Sequence, residues 1–241
     1  MFEEYQDNLD EMAKHLDYYL DITERIPIEV FTGPSLYFHQ KAIEATKNEF
    51  LEQRHLEMIY AVLPAWGMHK TGDHTTKVIP YNGFEEQIKR ISTAEEFQEL
   101  KHESILSIHN NSIGKVVDLV FELHISVSES QMVSSSKALH HILPNLIPPI
   151  DRKFSAGFMG VTNWPTYYYC KDEDKKKQKK IEFEKRLAER FITKMKTFIE
   201  KHREKMEKYL NHCFNTSLPK IFDNLIVAFI RDRGNKEDDK E

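Results

Sequence analysis

Apolar residues recur every three or four positions along most of this chain and rarely alternate, which predicts helices throughout. Leu9, Met12, Leu16, Tyr19 and Thr23 step at helical spacing with charges between them, so a first helix is expected over 3–25. Pro27 and the Gly33-Pro34 pair break the pattern. Helical spacing resumes from Leu36 to about Glu52 and again from His55 to Trp66, with Pro64 expected to kink or end the latter. The stretch 67–83 has no periodicity and reads as a long loop. Asn82 with Glu85, Thr93 with Glu96 and Ser128 with Gln131 each have capping-box spacing, and each predicts a helix start. The apolar run 113–124 suits helix or strand, and its length and surroundings favour helix. The helix launched at Ser128 ends at Pro144, a proline-rich connection covers 144–149, and a short helix follows from Asp151.

After an aromatic loop, "NWPTYYYC", comes the longest predicted helix, about 173–212. Phe183, Leu187, Phe191, Met195, Phe198, His202, Met206 and Leu210 form one stripe on it. A last helix is expected over 218–231, with Pro219 in its first turn, and then a disordered acidic tail over 232–241. The fold class is all-α: about eight to ten helices in one domain, 1–231. No linker composition marks a lobe boundary, which would fall near 112 or 170.

Composition agrees and removes some function classes. With 8 glycines and 9 prolines in 241 residues, the chain is poor in turn-formers. A net charge of −5 gives no global pull towards DNA or RNA, so a nucleic-acid role needs a local basic face. Cys170 and Cys213 form neither a disulfide framework nor a Cys-x-x-Cys zinc motif. The acidic N-terminus is not a signal peptide, and the longest apolar runs, such as "LIVAFI", are too short to cross a bilayer. A cytoplasmic protein without membrane contact is the expectation. No motif names a cofactor or a metal.

Four segments carry candidate chemistry, each with a plain alternative. In "WGMHKTGDH", Trp66, His69, Lys70, Asp73 and His74 share a glycine-containing loop; the alternative is a helix C-cap with solvated polar residues. In "SSSKALHHILPNLIPPIDRKF", Lys137 and His141 share a helical face at i, i+4, and the prolines return Asp151, Arg152 and Lys153 towards them. Ser134 and Lys137 form a Ser-x-x-Lys pair, but its companion acyl-transfer motifs are absent. Asp151 is equally well placed as an N-cap. The lysine run in "KKKQKK" suits phosphates or a solvated first helical turn, and the aromatic cluster 163–170 suits a base or a core plug.

The segments "LPAWGMHKTG" and "SSSKALHHILPNLIPPIDRKFS" resemble a family of helical proteins sharing Ala/Ser-Trp-Gly-Met-His, then Ser-Lys-x-Leu-His and Pro-Pro-Ile-Asp-Arg. That resemblance covers about 55–155 and implies a domain rather than a reaction. More remotely, a lysine-bearing helix, prolines and an aspartate opening a helix resemble the layout of helix-hairpin-helix DNA glycosylases. That likeness implies Lys137 and Asp151 as a catalytic pair, with the lysine or a water attacking the sugar. The glycine-rich hairpin of those enzymes is missing here, "VSSSK" standing in its place, and the Lys-to-Asp spacing is shorter.

These features converge on one cleft, formed where 66–74 approaches 134–153. It would bind through Trp66, His69, Lys70, His141, Arg152 and Lys153, with Lys137 and Asp151 as the catalytic candidates. A flat basic face would mark a binding module for a partner or nucleic acid. A concave pocket with buried polar groups would mark an enzyme. A third reading, self-association into a homo-oligomer, needs the stripe of the 173–212 helix left exposed.

Overall fold

The computed structural model describes residues 3–29, 33–68, 77–128, 130–161 and 172–238. Ten α-helices stand among them: α1 (Glu3–Lys14), α2 (Leu16–Glu29), α3 (Pro34–Asn48), α4 (Gln53–Leu63), α5 (Tyr81–Ser92), α6 (Glu95–Leu100), α7 (Ile113–Glu122), α8 (Met132–Ile142), α9 (Glu173–Glu207) and α10 (Leu218–Asp238). The architecture is all-α. Among the described residues the one β-like feature is a bridge between Val78 and Ser126, closed by Ile79 N to Ile125 O and Val127 N to Lys77 O, both 3.0 Å.

α8 is the structural centre. It packs on α3, α4, α7 and α9, and all its residues except Val133 are buried. An element buried on every side must satisfy its polar groups internally. Its serines do so: Ser135 Oγ donates to Leu123 O at 2.6 Å, and Ile150 N donates to Ser136 Oγ at 3.0 Å. α3 pairs with α4 on one side of it, while α7 and α10 both pack on α9.

Several expected element ends shift, each for a visible reason. The first helix is two, α1 and α2, interrupted at His15, although Tyr19 N still donates to His15 O at 3.1 Å. One stripe nevertheless runs along both, with Tyr5, Leu9, Met12, Leu16, Tyr19 and Leu20 buried. None of the three capping boxes forms. α5 follows Pro80 and α6 follows Ala94 without side-chain caps. Thr93 Oγ1 turns back to Arg90 O, and Gln131 Oε1 accepts from Ser126 N. Short polar side chains readily choose such local partners over a cap. α9 ends at Glu207, short of 212, because Asn211 (φ 68°) and Cys213 (φ 50°) reverse the chain.

The tail needs the largest correction. α10 continues to Asp238, through the segment expected to be disordered from 232. Asp232 accepts from Tyr18 OH at 3.0 Å and from Tyr19 OH at 3.3 Å; Arg233 donates to Asn8 Oδ1 at 2.9 Å and lies over the Phe229 ring. The α9 stripe is buried in the core at Phe183, Leu187, Phe191, Met195, Phe198 and Met206, which removes the exposed face that self-association required. Among the described residues no helix is long and apolar enough to cross a membrane. The aromatic segment 163–170 lies outside the described residues.

Removing residues 232–238 is expected to lower the unfolding free energy by about 1–3 kcal/mol, the net worth of a few partly exposed hydrogen bonds. A urea denaturation midpoint that does not move would contradict this role for the tail.

Candidate functional site

α4 ends at Leu63, and the next five residues, Pro64–Met68, form one wide turn. Proline cannot supply the N–H that would continue the helix, and Gly67 takes a φ of 87°, which a side chain would oppose. Two of the carbonyls the turn frees take lysine side chains. Lys137 Nζ, from the middle of α8, donates to Trp66 O at 2.9 Å, and Lys77 Nζ donates to Gly67 O at 3.1 Å. Lys137 Nζ also meets Asp151 Oδ2 at 3.1 Å. The 66–68 and 134–153 segments therefore touch.

Asp151 fills both roles suggested for it, with a different oxygen for each. Oδ1 caps the turn Arg152–Ala156, accepting from Lys153 N at 2.7 Å and Phe154 N at 3.3 Å, while Oδ2 faces Lys137. Burial pushes this carboxyl up, but the Lys137 ammonium and the two backbone N–H groups outweigh it and hold it below the usual aspartate value.

A second charged pair, which sequence reasoning missed, lies across from the first. Lys220 Nζ donates to Asp223 Oδ2 at 2.5 Å and to Asn224 Oδ1 at 2.8 Å, and sits 4.9 Å from the Trp66 ring centroid. Desolvation raises the Asp223 carboxyl, and Lys220 only partly offsets it. The available signal was two charges three apart inside "LPKIFDNLIVAFI", an otherwise apolar helix whose polar residues must face something.

The two pairs line a cavity of about 330 Å³ together with Trp66, Phe154, Phe214 and Pro149. A groove of about 400 Å³ adjoins it and shares Trp66, Gly67, Lys137 and Asp151. Its other lining includes Lys77, Arg152, Lys153 and Lys180, with Ser126, Ser128 and Ser134 between them. Arg152 reaches Glu184 Oε1 at 3.4 Å; that carboxylate, 1% exposed, also accepts from Ser130 Oγ at 2.8 Å.

The structure thus brings together Trp66, Lys137, Asp151, Arg152 and Lys153. His69 and Lys70, with Asp73 and His74, lie outside the described residues. His141 is a correction. It is wholly buried and lines neither space, because its Nδ1 bonds to Lys137 O one turn back, at 2.8 Å. It belongs to a layer of buried histidines behind the cavity. His141 Nδ1 must carry the proton it gives to a carbonyl, so Nε2 accepts from His39 Nδ1 at 3.0 Å. His39 Nε2 then accepts from Thr216 Oγ1 at 3.0 Å. Leu51 N donates to His55 Nδ1, leaving His55 Nε2 to donate to His141 O at 3.1 Å. His140 donates to Ile147 O, and its Nε2 is buried without a partner. Each histidine holds one proton. Burial drives His141 down to about 3, and His39 and His140 well below the ordinary value. Among the described residues no group of three or more His, Cys, Asp or Glu is arranged to hold a metal.

Comparison with protein-family models, with curated proteins and with solved structures returns no match.

The buried histidines make acid sensitivity measurable. Unfolded histidine titrates near about 6.5, and His39, His140 and His141 titrate lower when folded. Below that value the unfolded chain binds more protons, so stability is full above it and falls with acid, by up to about 1.4 kcal/mol per pH unit for each histidine. Asp223 has a raised folded value and opposes this: its contribution is present below about 3.9 and is lost as pH rises through the folded value. Burial lowers His55 as well, so four groups outweigh one and urea midpoints should drop steadily between pH 7 and 5. A flat profile would disprove the neutral-histidine assignment.

Proposed function

We propose that the protein is a nucleic-acid-processing enzyme that takes one unpaired nucleotide into its site, the ring in the cavity and the phosphates along the groove. The observation that carries this reading is the position of the Lys137–Asp151 pair, at the seam shared by an aromatic-lined cavity and a cationic groove. The cavity's volume, about 330 Å³, is of the size that takes a small ring ligand. Aromatic lining residues favour stacking, and clustered cations favour phosphates despite the acidic whole. Concavity and buried charge favour an enzyme over a flat binding face.

The remote likeness to helix-hairpin-helix glycosylases supplies a reaction of the right shape. Lys137 is a nucleophile only after losing a proton, and Asp151 is bonded to it to receive one. The amine lone pair then forms a C1′–N bond as the bond from C1′ to the base breaks. The departing base keeps those bonding electrons and takes the proton from Asp151. A second reading, a binding module without chemistry, draws on the same groove.

Borohydride reduction should trap a covalent adduct between the protein and an oligonucleotide containing an abasic site. Lys137→Ala should abolish the adduct, and Asp151→Asn should slow its formation by about a hundredfold, in the range for losing acid–base assistance. In parallel, Arg152→Ala/Lys153→Ala should weaken oligonucleotide binding and flatten its log K against log salt slope by about one unit for each phosphate no longer neutralised. Salt-sensitive binding with no adduct would leave the binding-module reading. No binding at low salt would end both.

A further inference from the structure

The two carboxylates lining the cavity are not equivalent. Without a ligand both oxygens of Asp151 are engaged: Oδ1 accepts from two backbone N–H groups and Oδ2 from Lys137. Asn224 is engaged too, its Oδ1 on Lys220 and its Nδ2 donating to Asn215 Oδ1 at 2.8 Å. Lys220 is locked between Asp223 and Asn224. Asp223 alone has an unused oxygen. Its Oδ2 takes the Lys220 ammonium, while Oδ1 has no hydrogen bond, and the residue lines the cavity.

This oxygen is held in place. Asp223 is 7% exposed, and its neighbours on α10, Ile221, Phe222, Leu225 and Ile226, are fully buried. An acceptor in such a site loses water when a ligand enters, and the loss is recovered only if the ligand donates to it. A ligand edge bearing lone pairs alone is repelled. The carboxylate is already neutralised by Lys220, so the complementary ligand needs N–H groups rather than a positive charge.

We infer that Asp223 is the specificity-determining residue of the cavity, selecting a flat ring whose edge presents amino N–H donors to Oδ1. The inference rests on the nucleotide reading above and names the kind of ring edge that site selects.

The test uses oligonucleotides identical except for one looped-out nucleotide. In one it carries unsubstituted purine, with no amino group; in the other, 2,6-diaminopurine, with two. Wild-type protein should bind the diaminopurine strand about tenfold more tightly, the worth of one charge-assisted hydrogen bond. In Asp223→Asn, an amide N–H can replace the open oxygen, and the ratio should fall to about one or below. Lys220→Gln/Asp223→Asn leaves no buried charge unpaired and carries the same expectation if the single variant fails to fold. Wild-type binding of both strands with equal affinity would overturn the inference and leave the nucleotide reading standing. A tenfold preference that survives in either variant would also overturn it. No binding of either strand would remove both.

Discussion

The Lys137 side chain is nine-tenths buried, and the two acceptors of its ammonium come from segments far apart in the chain: the Trp66 carbonyl and the Asp151 carboxylate. A charge in that position is costly unless paired and hydrogen-bonded. Two local features therefore become necessary. The end of α4 must open into a wide turn that offers Trp66 O. The proline-rich return after α8 must bring Asp151 back one layer away. The same return lets Asp151 cap the turn that carries Arg152 and Lys153. One interaction thus holds together the cavity, the groove and the α8 core behind them.

Behind Lys137 the interior is polar yet neutral. Its backbone carbonyl anchors His141, which in turn orders His39, and through Thr216 the network reaches the residues just before α10. Trp66 stacks against this layer, 5.1 Å from His39 and 4.8 Å from His141 between ring centroids, and turns its other contacts to Lys220. A histidine layer that stays uncharged adds no repulsion to the two cationic lysines in front of it.

The legibility of the sequence differs from residue to residue. The spacing of Phe183, Leu187 and Phe191 marks the buried face of α9 because burial repeats with the helical turn. Pro64 and Pro144 mark ends because a missing N–H acts locally. Asp151 is readable as a cap for the same reason, and the pairing of Lys137 with Asp151 follows from the proline return between them. The capping boxes fail because Thr93 and Gln131 have competing partners that spacing does not display. His141 is misplaced because a shared helical face says nothing of which side of that face a neighbouring helix covers.

By itself the sequence determined an all-α chain and most of its helices and breaks, since these depend on neighbours within a turn or two; the Lys137–Asp151 contact, 14 positions apart, was readable only through the prolines between them. Only the tertiary structure decided that α10 runs on to Asp238, that four histidines form one neutral layer, and that Lys220 and Asp223 face Lys137 and Asp151 across a cavity. Those features join residues separated by up to 225 positions. Long-range contacts of that kind are set by how buried faces pack, and no local period records it.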